Sequence, residues 1–116
     1  MKNLLSILTI CFFVSCSPER VHIDDLQERE EAQMLFYQGK PFTGIAYEVY
    51  SEGQLNFEIE IKDGKTDGLG QEWYDNGQLH WEANFKDGQP DGLFQEWDED
   101  GQLEREETYK DGERIN

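Results

Sequence analysis

The sequence repeats itself every 24 residues, and this period is the strongest constraint on its fold. Three twelve-residue segments align without gaps, and they occupy residues 44–55, 68–79 and 92–103. A Lys-Asp-Gly unit follows each segment, at residues 62–64, 86–88 and 110–112. Agreement of this kind over three copies is typical of a chain built from stacked structural units, in which each unit buries part of its neighbour's apolar surface.

Each unit alternates apolar and polar residues with a period of two, which is typical of a strand with one buried face. In the first unit the odd-numbered apolar residues of the second half are Leu55, Phe57, Ile59 and Ile61. The first half alternates as well, and a Gly separates the two halves, so each unit is predicted to be a β-hairpin. We therefore predict an all-β fold, an elongated antiparallel sheet (a meander) of repeated β-hairpins with a 24-residue period.

The parity of the apolar residues restricts the turn of each hairpin. If the odd-numbered residues of both strands share one face, Trp73 must lie opposite Leu79, and a three-residue loop at 75–77 satisfies this condition. Such a loop is a type I turn followed by a residue with positive φ, a G1 bulge. Glycine adopts positive φ without strain, which explains the residues at the third loop position: Gly53, Gly77 and Gly101.

Two further regions connect or precede the hairpins. Residues 87–92 contain two Asp-Gly pairs and Pro90, and they are predicted to form a longer connection between hairpins. Residues 32–37 are predicted to form a leading strand, whereas residues 21–29 fit either a short helix or another strand.

The composition limits the partners. The chain of 116 residues has 10 Lys and Arg against 26 Asp and Glu, a formal net charge of −16. Binding to nucleic acid or to anionic lipid needs a positive surface, so neither is a predicted partner. The hydrophobic fraction is 36% and aromatic residues make up 13%, which favours a folded chain with a modest core over a disordered one.

Residues 1–15 are predicted to be a signal peptide rather than part of the fold. Lys2 precedes an apolar run, Leu4 to Val14, that is too short to span a bilayer as a helix. The following residues, up to Ser15-Cys16, resemble the lipobox of bacterial lipoproteins, which implies cleavage before Cys16 and lipidation of its sulfur. Simple secretion, an uncleaved anchor and a misread start are the alternatives. The predicted domains are a signal peptide (1–15), an N-terminal linker or leading segment (16–30) and a hairpin-repeat domain (31–116).

The repeats resemble the MORN-like repeats of the toxin-antitoxin system YwqK family antitoxin group. The resemblance rests on the Glu-Trp-Tyr-Asp-Asn-Gly-Gln-Leu type segment at 72–79, the Lys-Asp-Gly-x-x-Asp-Gly connector at 62–68 and 86–92, and Pro-Phe-Thr-Gly at 41–44. It covers residues 41–116 and implies an elongated sheet of hairpins without a catalytic centre. An export signal does not fit a cytosolic antitoxin, so an immunity lipoprotein facing toxins outside the cytoplasm is kept as an alternative role.

Candidate partner-binding residues recur at matching positions of the repeats: Glu48, Glu72, Glu96, Tyr50, Tyr74 and Phe94. All are even-numbered and are predicted to point away from the apolar face, as are Glu58, Glu82 and Glu106. The glutamates fit a solvated face that keeps the sheet soluble, an acidic surface for a basic partner, or divalent-cation binding, while exposed aromatic residues are typical of protein contacts. The three tryptophans are assigned to the apolar face, as core or as the lining of a groove: Trp73, Trp81 and Trp97.

No constellation in the sequence indicates catalysis, a metal or a cofactor. His22 and His80 lie far apart in the sequence, and Cys16 is the single cysteine outside the signal peptide, so neither a zinc site nor a Cys–His dyad is predicted. The Asp-Gly connectors have the composition of turns and lack the pattern of an EF-hand loop. The repeated carboxylates have counterparts in sister units, whereas a catalytic pair is singular, so we predict that the protein is not an enzyme.

The sequence therefore predicts a non-enzymatic lipoprotein of the bacterial cell envelope, a repeat module that binds another protein. The predicted partner is a basic protein or a toxin, and the membrane is contacted only through the N-terminal lipid. The anchor would lie in the outer membrane, the periplasm or at the cell surface, and the protein would be secreted if it is not lipidated. The alternatives are an antitoxin or immunity protein that neutralises a secreted toxin, and a structural sheet that self-associates.

Overall fold

The computed structural model describes residues 18–116, and within them the chain is built almost entirely of strands. A single-turn 3-10 helix, Ile23–Asp25, interrupts the strands near the start. The strands are β1 (Arg20–His22), β2 (Gln27–Arg29), β3 (Met34–Tyr37), β4 (Lys40–Pro41), β5 (Gly44–Val49), β6 (Leu55–Lys62), β7 (Lys65–Trp73), β8 (Leu79–Lys86), β9 (Gln89–Trp97), β10 (Leu103–Lys110) and β11 (Glu113–Arg114). The predicted signal peptide (1–15) and Cys16 lie outside the described residues.

The strands form one large and one small sheet. The large sheet has eight strands in the order β1-β5-β6-β7-β8-β9-β10-β11, and the small sheet has the order β2-β3-β4. All neighbouring strands are antiparallel except β1, which pairs in parallel with β5. The radius of gyration is 17.3 Å and the extents are 59 × 35 × 22 Å. A compact domain of about 100 residues has a radius near 13 Å, so the predicted elongated sheet of consecutive hairpins is confirmed.

The predicted three-residue turns are present in all three hairpins. In the second hairpin the Tyr74 N–H donates to the Gln78 carbonyl (2.9 Å) and the Gly77 N–H donates to the Tyr74 carbonyl (3.0 Å). The third loop residue has the expected positive φ, 90°, 88° and 87° at Gly53, Gly77 and Gly101. The prediction that Trp73 lies opposite Leu79 is also confirmed.

The connection between hairpins is shorter than predicted. Lys86 pairs with Gln89, so the turn consists of Asp87 and Gly88 alone. Both turn residues have positive φ, 50° and 84°, as in the two-residue type I′ turn whose twist suits adjoining strands. The prediction of a longer loop at 87–92 is therefore wrong, and Pro90 lies in strand β9 rather than in a connection.

A β-bulge next to each three-residue turn reverses the predicted faces. Trp73 lies opposite Leu79, but its neighbour Glu72 lies opposite Trp81, which leaves His80 as an extra residue. The same shift leaves Asn56 and Glu104 unpaired in the other hairpins. One extra residue moves the side chains beyond it to the other face. The even-numbered residues of β5, β7 and β9 therefore share a face with the odd-numbered residues of β6, β8 and β10, contrary to the prediction.

The hydrophobic core lies at the N-terminal end of one face of the large sheet. We call this face the core face; it carries Ala46, Ile59 and Ile61, all buried. Val21 and Phe42 complete the buried cluster, and the residues packed against it include some from the small sheet and its approach: Ile23, Leu26, Leu35 and Tyr37. The predicted leading strand corresponds to β3, and residues 21–29 form parts of two strands around the 3-10 helix. The small sheet thus covers the core face of the first repeat (42–65), while the second (66–89) and third (90–113) continue beyond it.

Candidate functional site

A row of alternating acidic and aromatic side chains crosses the core face. The strand registers place one residue of each strand from β5 to β10 in this row: Glu48, Phe57, Glu72, Trp81, Glu96 and Arg105. Directly opposed residues in neighbouring strands project to the same side of a sheet and contact each other. The row therefore joins acidic groups to aromatic rings across all three repeats.

The prediction that Glu48, Glu72 and Glu96 point away from the apolar face is wrong, because the bulges return them to the core face. The carboxylates of Glu72 and Glu96 have partners within the sheet. The Trp81 indole N–H donates to the Glu72 carboxylate, and His80 Nδ1 lies 3.8 Å from the same group. Arg105 binds Glu96 at 2.8 Å. These glutamates hold neighbouring strands together, and their predicted contact with a partner stays a prediction.

Tyr50 and Tyr74 link successive repeats. The Tyr50 hydroxyl donates to the Trp73 carbonyl (2.7 Å), and the Tyr74 hydroxyl donates to the Trp97 carbonyl (2.8 Å). Desolvation by burial, followed by nearby carboxylates such as Glu72 and Glu104, raises the pKa of both tyrosines. Both hydroxyls therefore stay protonated and able to donate at neutral pH. Both side chains are half-buried, and their hydroxyls bind the next repeat of the same chain. Their predicted role in partner binding stays a prediction.

Phe94 lies on the core face and not on the outer face where it was predicted. Its ring stacks on Trp81, with centroids 6.4 Å apart and an interplanar angle of 25°. The Arg105 guanidinium lies 4.8 Å from the centre of the Phe94 ring, within the range of a cation–π contact. Trp73 and Trp97 follow Glu72 and Glu96 in their strands, so strand alternation places them on the opposite face, and Trp81 is the one tryptophan on the core face.

An apolar groove of about 250 Å³ lies on the core face beyond the small sheet. We call it the open groove, and it is lined by Trp81, Ala83, Asn84, Phe85, Pro90, Gly92, Leu93, Phe94 and Tyr109. Ala83 is buried and forms part of the lining, while Leu93 is 41% exposed. Trp81 and Phe94 are among the residues that the sequence pattern singles out, whereas Pro90 and Tyr109 are not. The signal that identifies Tyr109 is the repeat itself, because Ile61, Phe85 and Tyr109 occupy equivalent positions.

The opposite face carries a polar ladder. Its members are Glu58, Gln71, Glu82, Gln95 and Glu106, each directly opposite the next. The Gln71 amide donates to Glu82 and the Gln95 amide donates to Glu106, each at 2.7 Å. The prediction that Glu58, Glu82 and Glu106 point away from the buried apolar residues is confirmed. Alternating amides and carboxylates separate the like charges, which lowers the repulsion along the ladder.

A charged cluster on β10 and β11 ends the core face. Glu107 occupies the position that is Ile59 in the first repeat and Ala83 in the second. The Tyr109 hydroxyl donates to Glu107 (2.6 Å), and Arg114 binds the same carboxylate at 3.2 Å. The Tyr109 hydrogen bond, reinforced by the charges of Arg105 and Arg114, lowers the pKa of Glu107. The apolar surface of the groove is therefore bounded by a polar cluster on its C-terminal side.

Two classes of site are absent from the described part of the chain. No cluster of His, Cys, Asp and Glu between residues 18 and 116 is arranged to hold a metal ion. Over the same residues, no helix is both long and apolar enough to cross a membrane.

The family described as MORN repeat variant matches the chain twice, at residues 66–87 and 90–111. These two segments contain all the residues that line the open groove, from Trp81 to Tyr109. No curated protein and no solved structure matches the chain. The chain thus contains two copies of a repeat similar to the MORN variant, a kind of module often involved in binding proteins or membranes.

Proposed function

We propose that the protein is a non-enzymatic binding module of the bacterial cell envelope, which holds another protein in the open groove. The observation that supports this function is the contrast along the core face. The first repeat is covered by the small sheet, whereas aromatic side chains of the second and third repeats line a groove open to solvent. Exposed apolar grooves with aromatic walls are typical of protein-binding surfaces.

The chemistry of the groove suits a protein segment with an apolar anchor and basic neighbours. Trp81, Phe94 and Tyr109 offer rigid aromatic surface, the kind of surface that dominates binding free energy at protein interfaces. The formal net charge of −16 favours approach of a basic partner and disfavours an acidic one. Glu72 and Glu96 add acidic groups beside the ring of Trp81.

A photocross-linking residue at position 94 would identify the partner, since Phe94 lies on the core face and lines the groove. A cross-linker at position 95, on the polar ladder, is the control. The purified partner is then titrated against the parent protein, Trp81→Ala and Trp97→Ala, which removes the same side chain from the opposite face. Loss of a central tryptophan costs about 2 kcal/mol or more, so Trp81→Ala is expected to weaken binding about 30-fold.

Trp97→Ala is expected to change the affinity less than Trp81→Ala. Equal losses, or a larger loss with Trp97→Ala, would rule out the open groove as the binding surface. The identity of the partner decides between the finer functions: a secreted toxin would make the protein an immunity factor, and cross-linking to a second copy alone would make it a structural sheet. Turnover of any substrate that depends on a single carboxylate would contradict the non-enzymatic part of the proposal.

Anchoring through Cys16 is the second part of the proposal, and the support for it is the lipobox-like sequence at residues 13–16. Cys16→Ala should remove the lipid, so that the protein leaves the membrane fraction and its mass decreases by that of the lipid. Cys16→Ser is a matched variant that keeps the size of the side chain and also lacks the sulfur. Membrane association at unchanged mass in both variants would contradict lipidation.

A further inference from the structure

The chain itself shows how a repeat of this sheet is covered. Strand β3 crosses the end of the first repeat, where the Leu35 N–H donates to the carbonyl of Gly64 (2.8 Å). In return, the Phe42 N–H donates to the Leu35 carbonyl (3.0 Å). Leu35 and Tyr37 pack against the buried cluster that contains Ile59 and Ile61. An extended strand is thus held by two backbone hydrogen bonds and by apolar side chains.

The second repeat offers the same two backbone positions 24 residues later. Gly88 corresponds to Gly64, and Thr66 corresponds to Phe42. The hydrogen bond between the two positions has the same geometry in both repeats. The Gly64 N–H donates to the Phe42 carbonyl at 2.8 Å, and the Gly88 N–H donates to the Thr66 carbonyl at 2.9 Å. A Cβ added to Gly64 would meet Met34 and Leu35 at 3.0 Å, whereas one added to Gly88 would meet nothing within 4 Å. Among residues 18–116, no backbone N–H donates to the Gly88 carbonyl.

The apolar surface is repeated as well. The groove-lining residues Trp81, Ala83 and Phe85 are the counterparts of Phe57, Ile59 and Ile61. In the first repeat those counterparts belong to the cluster beneath the small sheet. The second repeat therefore has the surface and the backbone acceptor of the first, without the strand that covers them.

The third repeat lacks this arrangement. Its counterpart of Phe42 and Thr66 is Pro90, which has no N–H to donate. Its counterpart of Gly64 and Gly88 is Gly112, where an added Cβ would meet the side chain of Gln89 at 3.3 Å. The second repeat is thus the one remaining repeat that could hold a strand with both backbone hydrogen bonds.

We propose that the occupant of the open groove is an extended strand of the partner protein, docked on the second repeat as β3 is docked on the first. One residue of that strand donates its N–H to the Gly88 carbonyl and accepts the Thr66 N–H. The strand places apolar side chains over Ala83 and Phe85, and basic residues flank it because the chain is strongly acidic. This inference rests on the proposed function, since it names the kind of segment that the groove binds.

A synthetic peptide with the sequence of residues 33–38 is the natural probe, because this segment contains β3, which already occupies the equivalent position of the first repeat. It is added to the ¹⁵N-labelled full chain and followed by NMR. The amide signals of residues 66 and 88 and the Trp81 indole signal are expected to shift, while the signals of residues 42 and 64 stay in place. A peptide N-methylated at the residue that matches Leu35 lacks the N–H for Gly88, and its affinity should fall about five-fold or more.

Thr66→Pro removes the other hydrogen bond from the side of the protein. The fold accommodates proline at this position of a repeat, because Pro90 occupies it in the third repeat and still accepts the Gly112 N–H at 2.9 Å. This variant is expected to bind the unmodified peptide about five-fold more weakly, while Thr66→Val, which keeps the N–H, binds it as the parent does. If Thr66→Pro does not fold, the N-methylated peptide tests the same backbone docking without a change to the protein.

The outcomes separate this inference from the proposed function. If the peptide shifts the Trp81 signal but neither N-methylation nor Thr66→Pro weakens peptide binding, strand docking is overturned and the groove remains a binding site. If the peptide fails to bind while a cross-linked partner binds in a Trp81-dependent manner, strand docking in this register is again overturned and the proposed function stands. If binding of neither the peptide nor the partner depends on Trp81, both are overturned.

Discussion

The first and second repeats of the large sheet share a frame of turns and backbone hydrogen bonds, but only the first is covered. Strand β3 lies over Gly64 and the small sheet packs above Ile59 and Ile61, whereas Gly88 is open and Ala83 and Phe85 line a groove. The difference does not come from the frame. The hydrogen bond from the turn glycine to its carbonyl partner is 2.8 Å long at Gly64 and 2.9 Å long at Gly88. It comes from the N-terminal segment, which is long enough to cover one repeat.

The comparison indicates where the stability and the binding capacity of the molecule reside. Most of the burial lies where the small sheet covers the large one: five of the six buried hydrophobic residues belong to the covered cluster, and the sixth is the small residue Ala83. Because apolar burial is the main stabilising contribution to folding, the covered repeat should carry most of the stability. The uncovered repeats keep Trp81, Phe85 and Phe94 partly exposed along the groove, as a binding surface requires.

The largest expected effect is the loss of a buried ring at the covered end. Phe42 is 3% exposed, so Phe42→Ala should lower the free energy of unfolding by about 3–5 kcal/mol. Thr66→Ala, at the equivalent position of the open repeat, should lower it by less than about 1 kcal/mol, since Thr66 lies outside the buried cluster. Urea denaturation of both variants measures the two losses. Losses of similar size would show that the two repeats are equally buried in solution.

The equivalent turn glycines give a second matched pair. Gly64 and Gly88 both have φ of 84°, so alanine at either position carries the same left-handed strain, about 1–2 kcal/mol. Alanine at position 64 must also displace Met34 and Leu35, which a Cβ would meet at 3.0 Å. Gly64→Ala should therefore be the more destabilising by about 1–3 kcal/mol, measured as the difference between their unfolding free energies. A larger loss for Gly88→Ala would mean that β3 does not lie over the first turn.

The sequence predicted the repeated frame well, because period, parity and glycine positions all reflect local backbone geometry. The three-residue turns and the pairing of Trp73 with Leu79 follow from these features. The bulge at His80 does not follow from these features. One extra residue next to a turn leaves the alternation within β7 and within β8 unchanged, but it reverses which residues of the two strands share a face. The bulges at His80 in the second hairpin and at Glu104 in the third account for the wrong side assigned to Glu72 and Phe94. The docking of β3 on Gly64 is a contact between distant segments, which no local pattern reveals.

The hydrogen bonds of Tyr50 and Tyr74 should contribute equally to the stability of the covered and the open repeat. Tyr50→Phe and Tyr74→Phe each remove one hydroxyl that donates to a backbone carbonyl, at 2.7 Å and 2.8 Å. Each substitution should lower the free energy of unfolding by about 1 kcal/mol, the usual net contribution of such a hydrogen bond. Thermal and urea unfolding would measure both. A loss confined to Tyr50→Phe would show that the covered and open repeats differ in their frame as well as in their covering.

The smallest expected effect is a pH dependence at the charged cluster that ends the core face. The Tyr109 hydrogen bond, followed by the charges of Arg105 and Arg114, lowers the pKa of Glu107 in the folded protein. A lowered pKa means that the contribution of Glu107 to stability is complete above the unfolded-state pKa of about 4.3 and is lost as the pH falls through the folded-state pKa. Glu107→Gln lacks this contribution, so its unfolding free energy should lie below that of the parent at neutral pH.

The two unfolding free energies should converge as the solution is acidified through that range, because protonation removes from the parent the charge that the variant already lacks. Glu106→Gln is the matched control, since Glu106 is the neighbouring residue on the polar ladder and accepts its hydrogen bond from Gln95 rather than from Tyr109. Glu106→Gln removes a neighbouring carboxylate but leaves the Tyr109–Glu107 hydrogen bond in place. If Glu106→Gln and Glu107→Gln converge with the parent equally, the Tyr109–Glu107–Arg114 contacts do not set the titration, and the end of the core face is no more specialised than the solvated face behind it.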